Sequence, residues 1–196
     1  LEIARSKKQN IDGLRSITFL QSSEEPRLRE PSPKIKSTMD GSRSESLFDT
    51  RRSLFFRYGI DDLLNQFKTH VGLSQRVLQL CLAGASEETH CSVVFFGSVF
   101  SERNLNQRLI DTEDEIVYKP PGYASAKAAI ITYMKSLSDL FMDTQIRFNA
   151  VIPGPIFRES MPTDVHKGLA RQSYLGELVD VDDVVEAALW LHSDRA

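Results

Sequence analysis

The chain has 196 residues, 41% of them hydrophobic and 26% charged, with a formal net charge of -3; this suits one globular unit with a sizeable core and gives no electrostatic reason to bind nucleic acid or an anionic membrane. Its two cysteines, Cys81 and Cys91, have neither C-x-x-C nor Cys/His ligand spacing, so a disulfide framework and a zinc site are not expected and a reducing, cytoplasmic compartment fits. No run approaches the roughly 20 apolar residues that span a bilayer, and no signal peptide opens the chain; a first residue of Leu1 rather than methionine points to missing sequence upstream.

Leu1 to Ala4 reads as the tail of a strand, and the polar run from Arg5-Ser6 to Leu14 as a short helix ending near Gly13. Ser16 to Gln21 carries β-branched and aromatic residues and reads as a second strand. Residues 22–52 turn polar, with Pro26, Pro31, Pro33 and many serines, which predicts a long loop or disordered insert. The apolar burst Leu54 to Ile60, with Gly59 near its end, is a candidate strand but not a convincing one. Asp61 or Asp62 is placed to cap the next helix, in which Leu63, Leu64, Phe67, Val71, Ser74, Leu78 and Cys81 recur at three and four residues and which closes near Gly84.

Val93 to Phe96 is a continuous apolar run, as expected of a parallel strand covered on both faces. Ser98 follows at its carboxyl end, where open α/β sheets bind their ligands. The charged connection from Glu102 to Gly122 includes Asp111, Glu113, Asp114 and Glu115, read as a solvated rim rather than metal ligands. Pro120-Pro121-Gly122 precedes a helix from about Tyr123, striped by Ala126, Ala129, Ile130, Tyr133, Met134, Leu137, Leu140 and Phe141. Ile146 to Ile152 reads as a strand, Pro153-Gly154 as a turn, Arg158 to Leu178 as mixed, and Val181 to Leu191 as a capped amphipathic helix. His70, His90, His166 and His192 lack partners at ligand spacing and are assigned no chemistry.

Tyr123 and Lys127, four residues apart at the head of a helix, share one face, so a phenol and an ammonium meet in one site. A free tyrosine has a pKa of about 10. A neighbouring ammonium favours the phenolate and brings proton transfer within range of neutral pH.

Three segments in this order, Val93-Val94-Phe95-Phe96-Gly97-Ser98, Tyr123-x-x-x-Lys127, and Ile146-Arg147-Phe148-Asn149-Ala150-Val151-Ile152-Pro153-Gly154-Pro155-Ile156, resemble the short-chain dehydrogenase/reductase family. The resemblance implies an α/β, Rossmann-like fold with a parallel sheet and helices on both faces, as a single domain over residues 1–196. It also implies an NAD(P)-dependent oxidoreductase that transfers hydride reversibly between a nicotinamide and a small-molecule carbonyl or alcohol substrate. Ser98, Tyr123 and Lys127 would be the catalytic residues. Tyr123 would be the general acid/base; Lys127 would stabilise its phenolate and hold the nicotinamide ribose; Ser98 would hydrogen-bond the substrate oxygen. Pro153, Gly154 and Ile156 would lie along the nicotinamide amide. Arg5, just after the first strand, takes the position that contacts the adenosine ribose, which favours NADP over NAD as cofactor. No metal is implied. The helix near Leu63 to Leu82 and the one from Tyr123 would pair with a second copy, giving a homodimer or homotetramer.

The chain departs from the family pattern in several places. The family's first strand with its Gly-rich pyrophosphate turn, its fourth strand and its last strand are missing or unclear, so the sheet is expected to be incomplete. The missing first and fourth strands would lie between the strands of Leu1 to Gln21 and those of Val93 to Ile152. The family's relay asparagine falls on Gln66, with Asn65 one residue away, and its threonine two residues beyond Ile156 is Arg158. An alternative class follows, a catalytically inactive interaction protein that has lost the nucleotide-binding part. A third, the extended sugar-nucleotide epimerases and dehydratases, shares Tyr-x-x-x-Lys but needs a larger C-terminal substrate domain.

Overall fold

The computed structural model describes residues 16–19, 55–106 and 119–196. The readings of Leu1 to Ala4, of Arg5, of the helix near Gly13, of the insert at 22–52 and of the acidic rim at 111–115 lie outside the described residues. Three strands, β1 (Ser16–Phe19), β2 (Cys91–Phe96) and β3 (Ile146–Val151), form a parallel sheet in the order β1-β2-β3. Ser16 stands opposite Ser92 and Phe19 opposite Phe95; on the other edge Cys91 stands opposite Ile146 and Phe96 opposite Val151.

This order corrects one expectation. Ser16–Phe19 pairs directly with β2, with no missing strands between them. The physical reason is the backbone: a central strand has ladder groups on both edges, and leaving one edge unpaired costs free energy at every buried N–H and C=O. The segment read as a strand farther out therefore fills the seat beside β2 that the family's sheet order gives to the fourth strand.

The first helical layer comes from α1 (Ile60–Phe67), a π-helical turn (Lys68–Gly72) and α2 (Leu73–Leu82), which run on without a break. Residues 55–57 ahead of it are helical rather than extended, closed by Tyr58 N–H donating to the Phe55 carbonyl at 3.1 Å. Phe55 and Phe56 are exposed, so the apolar burst is a surface turn and not a strand. The helix start also differs. Gly59 is the N-cap, and Asp62 acts from the third helical position by accepting the Gly59 N–H at 2.9 Å. That bond satisfies an amide the helix leaves unpaired, and the carboxylate sits at the positive end of the helix dipole.

Helix α3 (Pro121–Leu140) begins two residues before Tyr123, with Pro120 as N-cap and Pro121 at the first position, where its lack of an N–H costs nothing. Helix α4 (Thr163–Ala170) lies inside the mixed segment, and α5 (Val181–His192) is capped by Asp180, whose carboxylate accepts the Asp182 N–H at 3.0 Å. Ile156 forms a parallel bridge to Val179, which ties the turn after β3 to the segment entering α5.

The sheet has helices on both faces, and the two faces are held differently. Side chains alternate along a strand. Cys91, Val93 and Phe95 join Leu78 of α2, Ile130 and Ile131 of α3, and Ile146 and Phe148 of β3 in one buried cluster. Helix α5 covers the opposite face, where Val184 and Ala188 are buried and the Ser92 hydroxyl donates to the Leu191 carbonyl at 2.9 Å. Arg147 of β3 donates to the carbonyls of Leu191 at 3.3 Å, Ser193 at 3.0 Å and Ala196 at 2.9 Å. A helix leaves its last carbonyls unpaired and its C-terminus partly negative, so one guanidinium answers both.

Candidate active site

The carboxyl end of β2 is knitted to the end of β3. Gly97 N–H donates to the Val151 carbonyl at 2.8 Å and Val99 N–H to the Pro153 carbonyl at 3.0 Å. A Cβ on Gly97 would lie 2.9 Å from the Ile131 Cδ1 and 3.1 Å from the Ile152 Cγ1, so a side chain here would have to displace the ends of these two isoleucines. Ser98 is buried and caps the 3-10 turn Val99–Ser101, its Oγ accepting the Phe100 N–H at 3.3 Å and its carbonyl the Ser101 N–H at 2.8 Å. The hydroxyl keeps its own proton to donate.

Helix α3 carries the other two predicted catalytic residues to the same end. Tyr123 lies half-buried in its first turn, and Lys127 follows one turn later, only 6% exposed. The Lys127 Nζ lies 6.0 Å from the centre of the Tyr123 ring and donates to the Phe96 carbonyl at 3.0 Å, two residues before Ser98. Burial pushes the Lys127 ammonium down to about 8. An ammonium has three donors; the strand's last carbonyl takes one and aims the group along the helix face shared with Tyr123.

Three residues that the sequence reading left without a role surround the phenol. His70 of the π-turn meets the Tyr123 ring edge-on with centroids 5.6 Å apart, and Phe100 of the 3-10 turn does so at 5.9 Å. The Lys119 Nζ lies 5.1 Å from the centre of the same ring. His70 is buried, and burial, with the charge of Lys127 second, lowers its imidazole to about 4. A signal for it exists in the chain: Gln66, His70 and Ser74 recur every four residues inside an apolar helical pattern, and all three are buried. The buried polar stripe faces α3. Of the two candidates for the relay position, Gln66 is buried and Asn65 exposed.

Ser98, Tyr123 and Lys127 are thus gathered at one end of β2, with Phe100 linking the serine to the tyrosine. Pro153 already gives its carbonyl to Val99, Gly154 is half-buried with its Cβ direction 3.2 Å from the Val179 Cγ2, and Ile156 is bridged to Val179. Arg158 is exposed. Arg5 lies outside the described residues. A cavity of about 360 Å³ is lined by residues that include Phe100, Asn104, Lys119, Pro120 and Ser125; Phe100 and Lys119 also contact the Tyr123 ring, while Ser98, Tyr123 and Lys127 do not line it. Among the described residues there is no cluster of three or more His, Cys, Asp or Glu suited to a metal, and no helix is long and apolar enough to cross a membrane.

Comparison with known proteins bears on the same region. A family model described as enoyl-(acyl carrier protein) reductase matches residues 110–196. The 2,5-dichloro-2,5-cyclohexadiene-1,4-diol dehydrogenase LinX of Sphingobium indicum is 34% identical over 78 residues, 38% of this chain and 31% of that protein. The 3-oxoacyl-[acyl-carrier-protein] reductase of Bos taurus is 25% identical over 142 residues, 72% of this chain and 54% of the relative. A solved short chain dehydrogenase of Leptospira borgpetersenii with bound NAD+ superposes with a TM-score of 0.58 at 22% identity, covering 70% of this chain and 52% of that one. The chain spans between about a third and about half of these relatives' lengths.

Proposed function

We propose that the protein is a short-chain dehydrogenase/reductase, an oxidoreductase that moves hydride between a nicotinamide and a carbonyl or alcohol carbon, with Ser98, Tyr123 and Lys127 as its catalytic residues; the family model over residues 110–196 and the similar dehydrogenases and reductases support this reading. The observation that carries this reading is the buried Lys127 ammonium, held by the Phe96 carbonyl one turn from Tyr123 and two residues from Ser98 in the strand before it. A buried ammonium is costly unless it is paired and hydrogen-bonded, and here the burial falls where a phenol needs a positive neighbour.

The residues present fit the nicotinamide end of such a cofactor. Lys127 has donors beyond the one given to Phe96, which suits ribose hydroxyls. The turn of Pro153, Gly154 and Ile156 closes against the Ser98 loop through Val99, which puts backbone beside the same crevice. When bound, the nicotinamide supplies or accepts the hydride. This chain's own groups handle the proton and the charge. As a carbonyl is reduced its oxygen becomes anionic; the Ser98 hydroxyl donates a hydrogen bond to it, and the Tyr123 hydroxyl delivers the proton. The positive charge of Lys127 stabilises the phenolate left behind. In the oxidative direction the same groups act in reverse.

With Ser16–Phe19 in the fourth strand's seat, Arg5 no longer aligns with the residue after the family's second strand and gives no preference between NADP and NAD; the exposed Leu64, Leu73 and Leu80 on α1 and α2 support assembly of a homodimer or homotetramer. The test uses the full-length protein with reduced nicotinamide and a panel of small carbonyl compounds, following loss of the reduced cofactor. Ser98→Ala and Lys127→Met should each lower turnover by roughly 100-fold, with Lys127→Met alone also weakening cofactor binding. Wild-type turnover in either variant would overturn the assignment.

A further inference from the structure

We propose that His70 is a positioning residue for Tyr123: it braces the phenol ring edge-on from the π-helical turn while Phe100 braces it from the 3-10 turn. The inference rests on the reading of Tyr123 as acid/base. The two braces have matching geometry, with interplanar angles of 80° for His70 and 79° for Phe100. Edge-to-face pairs at such separations are favoured by the ring quadrupole, beyond the area they bury.

The π-turn is what seats the histidine. In an unbroken α-helix, residues four apart drift about 40° around the axis at each step. The wider turn from Lys68 to Gly72, closed by Leu73 N–H on the Lys68 carbonyl, takes up part of that drift. Gln66, His70 and Ser74 thereby all reach the buried side, and the Ser74 hydroxyl donates to the His70 carbonyl at 2.9 Å, fixing the backbone under the ring. Burial and the charge of Lys127 keep the imidazole neutral at working pH, so the brace adds no third cation to Lys119 and Lys127 around the phenol.

Bracing matters because a proton donor must stand within hydrogen-bond reach of the reacting oxygen. An unbraced phenol swings about its χ angles, and a displacement of about 1 Å costs on the order of 100-fold in rate.

The experiment labels the full-length protein with 3-fluorotyrosine and assigns the Tyr123 fluorine resonance by its loss in Tyr123→Phe. His70→Ala should move that resonance toward the free-amino-acid position, and His70→Phe, which keeps an aromatic edge, should leave it near the wild-type position. Should the alanine variant fail to fold, His70→Leu, similar in volume but without an aromatic edge, carries the same expectation. In turnover, His70→Ala should lower kcat by about tenfold or more with the cofactor KM unchanged, and His70→Phe should restore most of it. An unmoved resonance in His70→Ala, or a His70→Phe variant that behaves like the alanine one, would overturn the proposal. The fluorine shift needs no substrate. Loss of the acid/base reading, shown by an active Tyr123→Phe enzyme, is therefore distinguishable from loss of the brace.

Discussion

The two faces of β2 are held in different ways. Towards α2 and α3, Cys91, Val93 and Phe95 bury apolar surface against Leu78, Ile130 and Ile131. Towards α5 Val94, Val184 and Ala188 are buried, and Ser92 and Arg147 in addition hold the helix by its terminal carbonyls. The proposed functional groups stand on the apolar side, where Lys127 and His70 are buried beside the apolar cluster together with Gln66, Ser74 and Ser98. Rigid packing there fixes geometry, and low polarity strengthens electrostatics, which is what an acid/base pair needs.

The largest expected effect is on that side. Phe95→Ala removes a fully buried ring from the centre of the cluster and should lose about 3–5 kcal/mol of stability in urea unfolding. Next comes acid. His70 has a folded pKa of about 4, against 6.5 when unfolded. The unfolded chain therefore takes up a proton first as pH falls. The stability associated with a neutral His70 is complete above about pH 6.5 and is lost as pH falls towards about 4, by about 3 kcal/mol. Between about pH 6.5 and 4 wild type should therefore lose about 3 kcal/mol of stability relative to His70→Phe, which has no imidazole to protonate.

The opposite face should respond less. Arg147→Met leaves three carbonyls at the end of α5 without the guanidinium and should cost about 2 kcal/mol, with faster amide exchange confined to α5. The smallest effect has the opposite sign. Lys127 is destabilising while charged in both states, below about pH 8. Lys127→Met should raise stability at neutral pH by about 1 kcal/mol after the lost bond to Phe96 is offset, and the gain should vanish as pH rises through 8 towards 10.5. A variant that is more stable yet inactive would mark the residue as functional rather than structural.

What was legible in the sequence follows from the same contrast. The β2 run, the Tyr123 helix, the β3 segment and the Asp180-capped α5 carry their periodicity openly, because their core-facing positions, among them Val93, Phe95, Ile130, Phe148, Val184 and Ala188, are buried. That Ser98, Tyr123 and Lys127 come together was legible because a strand end and the head of the following helix meet at one end of a parallel sheet; their catalytic roles are the proposal. The strand neighbour of β2 was misjudged, since Ser16–Phe19 says that it is a strand but not which edge it joins; pairing is a long-range property. Phe55 and Phe56 misled in the other direction, because apolar and aromatic composition marks a strand only when something buries it. His70 was passed over because a helical histidine is usually structural, and only the four-residue polar stripe with Gln66 and Ser74 would have flagged it.

The central claim is that Tyr123 carries the proton. Its most direct test is Tyr123→Phe in the full-length protein, measured for both nicotinamide binding and turnover of a carbonyl that the wild type reduces. The account predicts turnover lowered by roughly 100-fold or more with cofactor affinity almost unchanged; turnover at the wild-type rate would contradict it.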